Sequence, residues 1–280
     1  MVKKLYRHEF VALFRIILPI AAMCLVLSVL FGGTIAIQEK LPEKAEEIAY
    51  VVMGLFTFAY VISIIVMTAA TYFIVIARFY KHLLSNKGYL TFSLPVSPTT
   101  HLVCKLICGC VVTVFSVFVT LCSISIVLLF TGVDYIEGLK ELFQIDFSAI
   151  PGEIISKIVL VCVLLLVGIV VSLFMSILLP YVSMCIGQLA KKNKLAMSFL
   201  WYFIISNVVS FISNILSTAL TLAVIDNMSY YEGLTEIENF SIMLDTYSLS
   251  LVQITLVATV LSIVYFLVAR YILNNKLNLE

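Results

Sequence analysis

Six stretches of the chain contain no Asp, Glu, Lys or Arg: 16–38, 48–77, 106–133, 158–190, 195–225 and 246–269. Each is longer than the roughly 20 residues a helix needs to cross a bilayer. None shows the strict alternation of a barrel strand, and lipid satisfies no backbone N–H or C=O, so each reads as a spanning helix. The stretch 88–104 is shorter and holds Pro95, Pro98 and His101, so it is not counted as a span. The pattern predicts an all-α polytopic membrane protein forming a single transmembrane domain over 1–280. Its six transmembrane helices fall at about 16–38, 48–77, 102–133, 157–187, 195–225 and 246–270. Lys3, Lys4, Arg7 and His8 lie on one side of a helical wheel, with Tyr6, Phe10, Leu13 and Phe14 on another. Residues 1–15 therefore read as an interfacial helix in the headgroups. The first span has no small-residue cleavage site after it and is read as retained.

Composition agrees. Hydrophobic residues make up 62% of the chain and charged residues 12%, against about 25% in a soluble domain. The net charge of +1 conceals an asymmetry. With six spans the segments 1–15, 78–105, 191–194 and 270–280 share one side and carry 13 of the 17 basic residues. The segments between the remaining span ends carry 14 of the 16 acids. The positive-inside rule then puts both termini and the basic loops in the cytoplasm. The same bias explains the basic loops without a nucleic-acid partner.

The chemistry that is missing narrows the function. No acid or histidine falls inside a charge-free span, so proton-coupled transport and intramembrane proteolysis lack their ionisable groups. There is no H-E-x-x-H, G-x-S-x-G or P-loop. The chain is therefore read as no enzyme, with no cofactor of its own. His101, Cys104 and Cys108 share a helical face near Cys110, but a packed helix explains them better than a metal site. The seven cysteines lie in or beside spans, which argues against a disulfide framework.

Three polar features remain. The fifth span carries Ser206, Asn207, Ser210, Ser213, Asn214, Ser217 and Thr221 within an arc of about 140° at 100° per residue. Asparagines in lipid need partners or water, so this face reads as a substrate path or subunit interface, with intrachain packing as the other reading. Its neutral polarity suits amphipathic cargo. A weaker stripe on the third span, Thr113, Ser116, Thr120 and Ser123, reads as packing. The basic connection 78–105 is the third feature. The second span runs on through Phe79, Tyr80, Leu83 and Leu84 and ends near Asn86-Lys87-Gly88, with Gly88 as C-cap. Apolar residues follow from Tyr89 to Val96. Ser97-Pro98 fits an N-cap with proline at the first helical position of the third helix. The large apolar residues here must lie on the membrane, pack on the chain's own helices or dock a partner.

The run Tyr89-Leu-Thr-Phe-Ser-Leu-Pro-Val-Ser97-Pro-Thr-Thr-His-Leu-Val-Cys-Lys105 resembles the segment after the second span in type-2 ABC exporter permeases. Leu5-Tyr-Arg-His-Glu9-Phe resembles that family's N-terminal connector helix, and Gly187-Gln188-Leu189 the link between its fourth and fifth spans. The resemblance covers the whole chain, with one departure: Pro98-Thr99-Thr100-His101 stands where many members have arginines or lysines. It implies a permease subunit paired with a second copy or a related permease. A separate P-loop ATPase that holds ATP and Mg would bind its cytoplasmic face. It also implies a cytoplasmic coupling segment over 78–101, with Phe79, Tyr80, Leu83, Leu84, Lys87, Gly88, Leu94, Pro95 and Ser97 transmitting ATP-driven motion. Spans two and five of the paired subunits would line the path. A non-transporting scaffold or immunity protein that binds a partner in the bilayer is the alternative. A small-solute channel is weaker, since no filter-like motif appears.

Overall fold

A computed structural model describes residues 2–38, 46–85, 88, 93, 96–131, 151–190, 192–228 and 236–276. The described residues form helices and short turns. Six helices follow one another: α1 (Val2–Gln38), α2 (Glu46–Phe79), α3 (Pro98–Phe130), α4 (Gly152–Gly187), α5 (Lys194–Met228) and α6 (Glu236–Asn275). A five-residue π-helix, Tyr80–Leu84, continues α2. All six helices are long and apolar enough to cross a membrane. The chain is an all-α, multi-pass membrane protein.

The helices outrun the charge-free stretches that predict them. α6 begins at Glu236, ten residues before the expected start near 246, and takes in Glu238 and Asp245. α1 starts at Val2 and is unbroken to Gln38, so residues 2–15 are its first turns and no loop sets them apart as a separate interfacial helix. A charge-free run marks only the part of a helix that hydrocarbon tolerates, whereas a helix continues for as long as its own backbone bonds are favourable.

The chain divides into two compact units. The first contains Met1–Phe79 and Val103–Ile145. Its packing follows one stripe per helix. On α1 the buried residues Leu13, Ile17, Ala21, Cys24, Ser28 and Phe31 recur every third or fourth position. On α2 the stripe is Tyr60, Ser63, Met67, Thr71 and Val75, and on α3 it is Cys108, Val112, Ser116, Val119, Ser123 and Val127. Phe31 and Tyr60 stack with ring centres 5.3 Å apart. Small hydroxyls and a thiol fill the seam. The Ser123 hydroxyl donates to Tyr60 Oη at 3.2 Å, Thr71 Oγ1 donates to Ser116 Oγ at 3.1 Å, and the Cys24 thiol donates to Ser123 Oγ at 3.6 Å. Side-chain hydrogen bonds of this kind hold helices together where lipid supplies no hydrophobic drive. The Ser116 and Ser123 positions of the polar stripe on the third span are therefore packing. All seven cysteines are free thiols.

The second unit contains Tyr80–Leu102 and Asp146–Glu280. α4 and α5 form a hairpin whose turn uses Asn193 in the left-handed region, φ 52°, a conformation asparagine tolerates better than most residues. Near the start of α4, Lys157 Nζ donates to Asp245 Oδ2 at 2.6 Å and to Ser241 Oγ at 2.7 Å near the start of α6. None of the most apolar eighteen residues of α4 is fully buried, although Val161, Leu164, Gly168 and Val171 are half-buried along one face.

Candidate functional site

Three charged side chains meet at one end of the first unit. Glu9 lies on the buried stripe of α1, one turn before Leu13. Arg78 extends the α2 stripe one position beyond the turn that follows Val75, and Lys105 precedes Cys108 on α3. The three stripes converge, so the three charges converge. Lys105 Nζ donates to Glu9 Oε1 at 2.9 Å. Arg78 donates to Glu9 Oε2 from Nη2 at 3.1 Å and from Nε at 3.3 Å. Glu9 and Lys105 are each 6% exposed, and the Arg78 side chain is 17% exposed. One carboxylate thus ties the start of α1, the end of α2 and the start of α3. Burying these ions costs desolvation, which only this close pairing offsets. The arrangement also puts the start of α1, the end of α2 and the start of α3 at one end, as alternating crossings require.

Sequence reasoning passed over this cluster. Its signal was present: Glu9 is the only acid among residues 1–15, and it sits at helical spacing from Leu13 and Ile17.

Immediately after Arg78 the helix changes period. The Ser85 N–H donates to Tyr80 O at 3.0 Å, the five-residue bond of a π turn. Such turns are rare and concentrate at functional sites. Among the expected coupling residues, Phe79, Leu83 and Leu84 are buried, so these apolar side chains pack on the chain's own helices. Tyr80 is half-buried and Lys81 exposed. The π-helix ends at Leu84 and a bend follows at Ser85; Asn86 lies outside the described residues. Gly88 is buried and donates its N–H to Ser85 O. Lys87, Leu94 and Pro95 lie outside the described residues. Ser97 does cap α3. Its Oγ accepts the Thr100 N–H at 3.3 Å and pairs with Thr100 Oγ1 at 2.8 Å, and Pro98 is the first helical residue. Pro98, Thr99, Thr100 and His101 are the first turn of α3.

The polar face of α5 is not used up inside the chain. Ser206 and Ser213 are half-buried at its edge, while Asn207, Ser210, Asn214 and Ser217 are exposed. Asn207 Nδ2 donates to its own helix, to Phe203 O at 2.7 Å. The side chain of Thr221 lies outside the described residues. The apolar residues Phe203, Val208, Phe211 and Ile215 are exposed as well. Among the described residues, intrachain packing, the competing reading of this face, half-buries Ser206 and Ser213 and leaves Asn207, Ser210, Asn214 and Ser217 exposed.

Among the described residues no group of three or more His, Cys, Asp or Glu is placed to hold a metal ion. No family model, curated protein or solved structure matches the chain.

Proposed function

We propose that this protein is the membrane-spanning permease subunit of an ABC exporter in the plasma membrane, with both termini cytoplasmic. It pairs with a second permease and binds a separate P-loop ATPase that holds ATP and Mg. The observation that carries this reading is the α5 face. Asn207, Ser210, Asn214 and Ser217 are exposed within a helix apolar enough to span. Asn207 spends one N–H on its own helix, and the remaining amide groups of Asn207 and Asn214 are stabilised in hydrocarbon by another protein surface or by water. A paired subunit with a path between the copies supplies both. The energy is then supplied by the partner, because the charges of this chain lie at or beyond the ends of the six charge-free stretches and its sequence has no P-loop. The resemblance of 89–105 to the coupling region supplies the ABC class.

The second span and its π turn carry motion from the ATPase into the membrane. Tyr80 and Lys81 are the positions that test this, since both reach the surface. A charge at buried Leu83 or Leu84 would disturb folding before it reported on coupling.

A pull-down from native membranes is expected to bring down a P-loop ATPase together with a permease. Recovery of the chain alone, as a monomer, would overturn the proposal. Tyr80→Glu with Lys81→Glu is expected to leave folding intact and to separate ATP turnover from transport. Unaltered function in that variant would favour the scaffold reading. The interface has its own test: Asn207→Leu with Asn214→Leu should abolish pairing, read by cross-linking in membranes, while the monomer melts no lower than wild type. Undiminished pairing would remove α5 from the interface.

A further inference from the structure

The burial of Glu9 has a consequence on the opposite side of α1. Lys3, Lys4, Arg7 and Arg15 are all exposed. At 100° per residue they occupy an arc of about 120°, and Glu9 falls some 120° beyond its edge. The one acid of this segment is turned inward to Arg78 and Lys105. Every charge on the outward face is therefore positive. Beyond Arg15 the same face is aliphatic, with Leu18 and Val29 exposed. Cations followed by hydrocarbon match the order of a phospholipid headgroup and its acyl chains. Length enforces the placement. α1 has 37 residues, about 55 Å at 1.5 Å per residue, against a hydrocarbon core of about 30 Å. Its first turns must run through or along the headgroup layer.

We propose that the Lys3, Lys4, Arg7 and Arg15 face of α1 is a binding site for anionic phospholipid headgroups in the leaflet that meets the N-terminus. Clustered cations beside a spanning helix attract anionic lipid, and the attraction falls away within a Debye length. The proposal needs only that the chain cross a membrane. It stands whether or not an ATPase partners the protein.

The test uses the full chain in nanodiscs of phosphatidylcholine containing a minor fraction of phosphatidylglycerol. Native mass spectrometry counts the phosphatidylglycerol retained on the protein. Wild type is expected to be enriched in phosphatidylglycerol over the surrounding bilayer. Each cation removed by glutamine substitution is expected to lower that enrichment about fivefold. Arg270→Gln with Lys276→Gln, which removes exposed cations at the other end of the sequence, should change it little. Equal retention by Lys3→Gln/Lys4→Gln/Arg7→Gln and wild type would overturn the site. So would an equal loss in the Arg270/Lys276 control, or displacement of the lipid by inorganic phosphate alone. On wild type, rising salt should erase the enrichment, and enrichment that survives high salt overturns the proposal independently of any variant.

Discussion

Glu9→Ala is expected to cost about 3–5 kcal/mol of stability, the range for removing one partner of a buried ion pair. Lys105 is the reason. It is as buried as Glu9 and is left in a site whose anion has gone. Arg78 suffers less because its side chain is 17% exposed and can turn toward water. Glu9→Gln should fall between, retaining an acceptor but not the charge. The decisive variant is Glu9→Leu with Lys105→Met, which removes both buried ions and should recover most of the loss, since apolar replacements of buried pairs are often neutral. A thiol-reactive dye followed during heating in detergent provides the readout, because Cys24, Cys104 and Cys108 are buried and free. A melting curve for Glu9→Ala that overlays wild type would mean the clasp does not hold the first unit together. If the double variant melts as low as Glu9→Ala, lost packing and not stranded charge is the cause. Either outcome leaves the lipid-facing cations untouched, as they lie on the other side of the helix.

The clasp also marks the limit of what the sequence reveals. The six helices are legible because lipid excludes charge, and six long gaps in the charges are countable in the sequence. The Ser97 cap is legible because the hydroxyl and the proline act within one turn. Ser116 and Ser123 of the hydroxyl stripe on the third span are packed as expected, although their partners Thr71 and Tyr60 could not be named. Glu9 meets Arg78 and Lys105 across 69 and 96 residues, and nothing local fixes that encounter. It depends on the phases of three separate stripes. The helix ends were not legible for a related reason: Glu236 and Val2 lie beyond the charge-free runs, where water permits a helix but no longer requires it to be apolar. On α5 the pattern of polar positions was visible, yet what that face meets is not written in one chain.

Gly187→Ala should destabilise the protein by about 1–3 kcal/mol, the usual penalty for overpacking, and Gly187→Val by more. This reverses the ordinary sign, since alanine is better than glycine in a helix by about 1 kcal/mol. The cause is backbone, not side chain. A Cβ at Gly187, the last residue of α4, would stand 2.6 Å from the Ser198 nitrogen and 2.7 Å from its Cα. Ser198 is itself in α5 and buried. The two helices can separate only by opening the hairpin, whose turn is already fixed by Asn193 in the left-handed region and by the Leu189 and Ala190 amides bonded back to Ile186 and Gly187. Gly54 in α2 is the internal control, because a Cβ there meets nothing within 4 Å. Gly54→Ala should raise the melting temperature or leave it unchanged, while Gly187→Ala lowers it. If both move together, glycine is acting through helix propensity alone and the α4–α5 crossing is not as close as described. Because the crossing sets the path of α5, Gly187→Ala should also weaken the pairing that Asn207 and Asn214 are proposed to support. The same membrane cross-linking reads that loss, and undiminished cross-linking in a destabilised variant would separate the hairpin from the interface.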